Sequence, residues 1–353
     1  MKKLKKKLTK PVEDEVHNPE DFLSSGCTIL NLCCSDTPDG CYRKGVFHTF
    51  VGDSDTGKSW LAWAMLTEAA INDEFKDYRL VFDNAEGGQV PDLKRYFPPL
   101  VDRVEIVQSR TVEQMYYRLG DYLEKGPIVA AVDSMDALIA EADDKKFKKS
   151  KSAHNRGKED KINIGLAKAK ANSQILNRIV SDVVKTQSIL MMISQAKVRI
   201  KMSPWDFGPD KARSGGGALK FYNRWEVWLR SPRTIKKKVK ERNIQIGMVT
   251  QASVEKNHIT GKKRKVEINI YEQFGIDDIG TSIDYLIAWD HWKGTQATVS
   301  APEFDFKGKK EDLARKIENK PMRRRKLKRI VTRVWKEIEE RVSLNRRPPY
   351  EGY

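Results

Sequence analysis

The 353 residues suffice for one large domain or two modest ones with a sizeable core. The chain is 33% charged and 39% hydrophobic and has no apolar run near the ~18 residues of a membrane span, which reads as a soluble globular protein and excludes a helical membrane protein. A formal net charge of +17 favours polyanionic partners, nucleic acid ahead of an acidic membrane surface.

The chain opens on "MKKLKKKLTK", a basic stretch followed by no apolar signal core or small-residue cleavage site. Residues 1–24 read as a basic solvated arm, and the expected location is cytoplasmic, in association with the nucleoid or in a host cell. "CTILNLCC" has helical spacing. The four cysteines, Cys27, Cys33, Cys34 and Cys41, lack the paired C-x-x-C knuckles of structural zinc and read as small buried apolar residues. Short apolar runs follow at 46–51, 79–83, 104–108, 128–133 and 188–194, separated by the amphipathic stretches "SWLAWAMLTEAAIND", "TVEQMYYRLGDYLEKG" and "LAKAKANSQILNRIVSDVVK". Near-continuous apolar strands alternating with helices predict an α/β fold, a mostly parallel sheet covered on both faces. The segment 143–161 is charged and of low complexity, and reads as a mobile loop.

Further strands are predicted at "RWEVWLR", "IGMVTQASVEK" and "KVEINIY" without long helices between them, an antiparallel extension of the sheet. "IGTSIDYLIAWDHW" and the basic stretch 309–342, interrupted near Pro321, read as helices. The expected organisation is an arm (1–24), a core (25–275), a small basic helical region (276–342) and a disordered tail (343–353).

The strongest chemical signal is Gly52-Asp53-Ser54-Asp55-Thr56-Gly57-Lys58-Ser59, which fits G-x-x-x-x-G-K-[ST] between a predicted strand and a predicted helix. The glycines let backbone N–H groups wrap phosphates at a helix N-terminus. Lys58 is placed to reach the β- and γ-phosphates and the Ser59 hydroxyl to bind Mg²⁺. Asp133 follows an apolar run in "IVAAVDSMDAL", where the Mg²⁺ shell of such a site needs an acid; its other reading is a helix cap. "RLVFDNAEGG" ends a strand with Asp83 and Glu86, and Glu86 is the candidate general base for water.

Another segment stands out. "KVRIKMSPWDFGPDKAR" is basic and leads into the three glycines of "SGGGALKFY". Lys197, Arg199, Lys201, Lys211 and Arg213 suit backbone phosphates, and Trp205 and Phe207 can stack on bases or pack within the loop. The basic run Arg323–Arg329 suits duplex DNA or a solvated helix face.

"LSSGCTILNL", the phosphate loop, "FDNAEGG", "AAVDSMDAL", "MMISQAKVRI", "GGGALKFY" and "VEKNHI" stand in an order that resembles RecA-type recombinases over about residues 22–295. The resemblance implies a RecA-like ATPase core that uses ATP and Mg²⁺, assembles as a helical filament on single-stranded DNA and pairs it with double-stranded DNA. A single-strand-binding or loading protein is a further partner it implies, and no membrane. It also implies roles for residues: Lys58 and Ser59 as phosphate and Mg²⁺ ligands, Asp133 as the Mg²⁺ acid, Glu86 as catalytic base. Gln195 becomes the sensor of the γ-phosphate that leads into a second DNA-binding loop at 196–215, ending at Gly215, Gly216 and Gly217. The charged segment 143–161 becomes the first such loop, and Lys256 and His258 the cations that reach a neighbour's ATP.

The chain departs from the family pattern at His258, where a lysine is usual, and in "AEGGQVPDL", which lacks the Asp-Pro-x-x-Tyr that contacts adenine, so no adenine residue is assigned. A short leader and a basic C-terminus suggest a divergent, phage-encoded relative. Two other readings stay open: a ring-forming DNA helicase or remodelling ATPase, and a non-catalytic recombination mediator.

Overall fold

In a computed structural model, residues 18–155, 166–198, 211–213, 221–295 and 297–344 are described. Phe22–Leu23 (β1) pairs antiparallel with Tyr42–Arg43 (β2), with helix α1 (Thr28–Ser35) between them in sequence. The apolar runs become β3 (Val46–Gly52), β4 (Arg79–Asp83), β5 (Val104–Val107), β6 (Ile128–Val132) and β7 (Ile189–Val198). Helices α2 (Lys58–Ile71), α3 (Leu93–Tyr96), α4 (Val112–Lys125), α5 (Glu141–His154) and α6 (Leu166–Thr186) alternate with them. Then come β8 (Lys211–Arg213), β9 (Trp225–Val239), β10 (Arg242–Asn257), β11 (Lys265–Tyr271), β12 (Gly275–Ile276) and helix α7 (Asp278–Ala288).

The main sheet has the order β5-β4-β6-β7-β3-β9-β10-β11-β12, with β8 attached to β7. Pairs from β5 to β9 are parallel and those from β9 to β12 antiparallel, the predicted α/β architecture. Every residue of β3 and of β6 is buried. The period-two alternation of strand side chains explains why the runs are continuously apolar. Leu80 and Phe82 of β4 and Met191 and Ile193 of β7 face one apolar layer with α1 and α2, while Val81, Leu190 and Met192 face another with α4 and α6. The four cysteines are buried free thiols of the first layer, and burial pushes each thiol above its ordinary range.

A small sheet, β13 (Lys293–Gly294), β14 (Thr298–Ala301) and β15 (Phe306–Lys309), precedes helices α8 (Lys310–Glu318) and α9 (Pro321–Val342). Pro321 occupies the first turn of α9, where its missing N–H costs nothing. One face of α9 buries Leu327, Ile330, Val331, Val334 and Trp335 at helical spacing, and Trp335 Nε1 donates to Asp36 Oδ1 at 3.0 Å, tying this helix to α1.

Three expectations need correction. Residues 143–154 of the charged segment lie in helix α5 rather than a loop, and 156–161 lie outside the described residues: the helix's first turn carries Glu141, Asp143 and Asp144, suited to a helix N-terminus, and Lys148 pairs with Asp144 at 2.6 Å one turn on. Strand β7 runs three residues past Gln195, to Val198, because β8 pairs with it antiparallel. Strands β9 and β10 continue far beyond their apolar parts. Most of the N-terminal arm, Arg199, Lys201, Trp205, Phe207, Gly215, Gly216, Gly217 and residues 345–353 lie outside the described residues.

Candidate functional site

Strand β3 delivers Gly52 into a tight turn that ends at α2. A side chain at Gly52 would press on the Leu229 carbonyl at 2.7 Å, and one at Gly57, whose φ is +86°, would collide with Ile270 Cδ1. Only glycine satisfies both positions. No side chain caps α2, so its first backbone N–H groups are presented to an anion. The Thr250 hydroxyl donates to the Thr56 carbonyl at 3.1 Å and holds the turn against β10. Lys58 is 8% exposed and its ammonium donates to the Gly52 carbonyl at 3.0 Å and to that of Asp53. Burial pushes this ammonium below the ordinary lysine range, against the charges of Asp133 and Glu86.

The acids gather at the neighbouring strand ends. Ser59 Oγ donates to Asp133 Oδ2 at 2.6 Å, and the Glu86 N–H donates to the Asp133 carbonyl at 3.0 Å. Burial raises the Asp133 carboxyl above its ordinary value, the Ser59 bond opposes that rise, and Glu86 adds to it. Glu86 Oε1 accepts from Ser134 Oγ at 2.6 Å and from Gln195 Nε2 at 3.1 Å. Asp83 turns instead to Ser109 and Arg118 and serves the packing of β4. A hydroxyl beside one carboxylate fits Mg²⁺, which takes few protein oxygens and completes its octahedron with phosphate and water. A cleft of about 410 Å³ opens beside these groups, with Ser59, Glu86 and Asp133 at one end and Trp60, Val90 and Pro91 along its wall. That volume suits a small-molecule ligand.

A family model described as RecA N-terminal domain matches residues 3–277, well over half of the chain. The chain belongs to the RecA family.

The chain is 26% identical over 265 residues to Protein RecA of Acidiphilium cryptum (strain JF-5), covering 75% of this chain and 70% of that protein. It is 26% identical over 286 residues to Protein RecA of Azospirillum lipoferum (strain 4B), covering 78% and 72%. Against Protein RecA of Acidothermus cellulolyticus (strain ATCC 43068 / DSM 8971 / 11B) the figures are 26% over 318 residues, 87% and 85%. The RecA family comprises DNA-dependent ATPases of recombination and repair that use ATP with Mg²⁺. Among the described residues no helix is long and apolar enough to cross a membrane.

The network around Gln195 joins the end of β7 to the acids beside the phosphate loop. Gln195 stands beside Gly52 in the β3–β7 register. Asp136 Oδ2 accepts from the Gln195 N–H at 2.7 Å and from Ser194 Oγ at 3.0 Å, and Oδ1 is ion-paired with the Lys197 ammonium at 3.3 Å. Lys168, near the start of α6, donates to the Met135 and Leu138 carbonyls at 2.5 and 2.6 Å. Neither Asp136 nor Lys168 is flagged by the sequence, because no motif marks a residue whose role is to hold a turn between two elements.

Lys211 and Arg213 are placed differently from the sequence expectation. Lys211 pairs with Asp53 of the phosphate loop at 2.5 Å. Arg213 Nε pairs with Glu226 at 3.2 Å, and both side chains are 7% exposed, which sets this guanidinium against β9. Lys256 and His258 lie at the other end of the sheet from the phosphate loop. Asn257 is in register with Trp225 and Trp225 with His48, four residues before Gly52, or about 13 Å at ~3.3 Å per residue. Lys256 Nζ donates to the Phe221 carbonyl at 3.1 Å. Partial desolvation and the charges of Lys256 and Arg224 hold the His258 imidazole below its ordinary value.

A basic surface escaped the sequence reading. Strand β9 is buried as far as Leu229, which is level with Gly52, apart from half-buried Trp228, and exposed or half-buried beyond it. Beyond it β9 pairs only with β10, beside β11 as far as Ile235 and from Lys236 as a two-stranded ribbon past the sheet end that carries the phosphate loop. This extension bears Arg230, Arg233 (paired with Glu267), Lys236, Lys237, Lys238, Lys240 and Arg242. The available signal was "TIKKKVKERNIQI", a lysine run that turns back on itself between two strand-like stretches.

Proposed function

We propose that this chain is an ATP-dependent DNA recombinase that assembles as a filament on single-stranded DNA, pairs it with a duplex and promotes strand exchange. The observation that carries this reading is the bond from Gln195 Nε2 to Glu86 Oε1, which joins the start of the second loop to the acid beside the phosphate loop. ATP with Mg²⁺, when bound, would supply the phosphoryl group for transfer to water. The phosphate-loop N–H groups and Lys58 would bind and orient it, the Ser59 hydroxyl and Asp133 would hold the metal, and the cleft at Trp60 and Pro91 would take the base. Glu86 accepts the proton of the attacking water, with Ser134 and Gln195 fixing its carboxylate. Most of the rate comes from positioning and charge.

Lys256 and His258, far from their own phosphate loop, serve the site of the next subunit. Lys197, the basic residues of the segment 199–210 and the β9–β10 ribbon supply the phosphate contacts, and the protein works wherever that DNA lies, with a single-strand-binding or loading protein as helper. Phosphate release with and without single-stranded DNA, compared with Lys58→Ala and Glu86→Gln, tests turnover; equal rates in all three proteins would leave a non-catalytic mediator. Electron microscopy with single-stranded DNA and a slowly hydrolysed ATP analogue tests assembly, and closed rings would favour a helicase-like ATPase.

A further inference from the structure

Helix α9 buries one face in the core and turns the other towards Pro38 and Asp39, and between them lies a groove of about 900 Å³. Both walls are fixed. The Pro38 carbonyl accepts from the buried Asn31 amide at 2.9 Å, Trp335 Nε1 donates to Asp36 at 3.0 Å, and Lys328 of the helix pairs with Asp39 at 2.5 Å. Along the helix wall stand Arg325, Arg329, Arg333 and Lys336, all exposed. Their spacing of four, four and three residues sets them in one stripe about 16 Å long. Arg333 is shared with Glu303 and Glu337, whereas Arg325, Arg329 and Lys336 make no ion pair among the described residues. Glu337 and Glu340 line the C-terminal end of the groove and close the stripe.

We propose that this groove docks an acidic, extended segment of a partner protein, its carboxylates on the α9 stripe and its apolar side chains against Pro38 and the aliphatic stems of the arginines. An extended chain rises about 3.3 Å per residue, so the stripe spans about five residues. Its period-two alternation turns acids to one wall and apolar side chains to the other. Charge complementarity singles out this occupant. Duplex DNA carries a charge about every 1.7 Å along its axis, so a duplex lying along the groove sets phosphates against Glu337 and Glu340 as well as against the cations. A peptide ends its acidic run where the cations end. Fixed walls favour such a ligand further, because little ordering of the protein accompanies binding. The groove shares no residue with the nucleotide cleft, so the proposal stands independently of the ATP and DNA reading given above.

The probe is a fluorescein-labelled short peptide of alternating aspartate and leucine, titrated with the full chain by fluorescence anisotropy at physiological salt, where loose charge attraction is screened. Saturable binding is expected, and the same peptide with asparagine in place of aspartate should bind about tenfold more weakly or worse. Arg325→Glu with Arg329→Glu should weaken binding by about tenfold, the worth of two exposed ion pairs. Both side chains are exposed, so their replacement disturbs no packing, and the milder Arg325→Gln with Arg329→Gln should act in the same direction. Lys236→Glu with Lys237→Glu changes the net charge by the same amount on the β9–β10 ribbon and should leave peptide binding as in wild type. Equal losses in the two charge-reversed proteins would reduce the effect to net charge and overturn the docking site. Displacement of the peptide by an equal concentration of a short DNA duplex, with duplex binding lost in Arg325→Glu with Arg329→Glu, would make the groove a nucleic-acid surface and overturn it too. Failure of the wild-type protein to bind the peptide would do the same.

Discussion

Gln195 faces the nucleotide site with its side chain and Asp136 with its backbone: Nε2 donates to Glu86 Oε1 at 3.1 Å, while its N–H donates to Asp136 Oδ2 at 2.7 Å. The two bonds are separable, because Gln195→Ala removes the first and leaves the second. Strand β7 should therefore keep its place while Glu86 loses contact with the DNA-binding segment. Stimulation of phosphate release by single-stranded DNA should fall about tenfold, within the usual range for coupling between two sites. The rate without DNA and the affinity for nucleotide should change far less. Stimulation equal to wild type would dismiss the bond as a transmitter.

Glu86→Gln keeps an oxygen to accept from Ser134 but cannot take a proton from water. A general base contributes about 10²–10⁴-fold, so kcat should drop by that order. Equilibrium binding of nucleotide should stay near wild type, since the hydrogen bonds of the Glu86 carboxylate go to Ser134 and Gln195 and not to the phosphate loop. DNA binding with ATP should persist for longer in this variant if the proposed hydrolysis releases the DNA. An unchanged kcat would move the base elsewhere.

The parts of this molecule visible in the sequence are those whose physics is local. Strands β3 and β6 are covered on both faces and therefore read as unbroken apolar runs, and the phosphate loop is a contiguous motif between strand and helix. What stayed hidden depends on distant partners. Helix α5 lacks an apolar stripe, having a buried Asp143 and an exposed Phe147, so its periodicity gives no helical signal. Arg213 looks like every other cation of its loop until folding brings Glu226 beside it. The ribbon was cut short at Arg230 because its strands continue through pairing alone, with no apolar face to mark them.

Asp133 predicts a trade between stability and metal binding. Burial raises its carboxyl above the ordinary value of 3.8, so the folded state holds its proton more tightly than the unfolded chain. Stability is then greatest below the ordinary value and is lost as pH rises through the raised one. At pH ~7 the ionised, buried group is a cost that Asp133→Asn removes. In buffer free of nucleotide and metal the variant should melt above wild type at neutral pH, with the gap closing on acidification towards the ordinary carboxylate range. It should also lose the Mg²⁺ dependence of nucleotide affinity. Identical neutral melting curves, or a gap that widens in acid, would refute the assignment.

Arg213 and Glu226 should behave as structural residues. Arg213→Ala leaves Glu226, itself 5% exposed, without its cation, and breaking one side of a buried pair costs about 3–5 kcal/mol. Denaturant unfolding should show a loss of that order unless β8 detaches first, in which case proteolysis near residues 211–213 should accelerate. Trp228, whose indole donates to Glu226 Oε1 at 2.8 Å, gives a fluorescence change in either case. A variant as stable and as protease-resistant as wild type, but weaker on DNA, would return Arg213 to the DNA face.

The β9–β10 ribbon predicts a change in salt dependence more than in specificity. Lys236, Lys237 and Lys238 sit on the part of β9 that pairs only with β10, so their replacement by alanine disturbs no apolar packing. Cations that neutralise DNA phosphates release counterions, and each contact adds about 0.7 to the slope of log affinity against log salt on single strands and about 0.9 on duplexes. Not every lysine on a twisted ribbon can face the same DNA, since successive side chains point to opposite sides. One or two contacts should therefore be lost, lowering the duplex slope by about 1–2 without altering preference among sequences. If the slope holds and affinity does not move, the ribbon lies away from DNA, and the net charge of +17 must act through other surfaces.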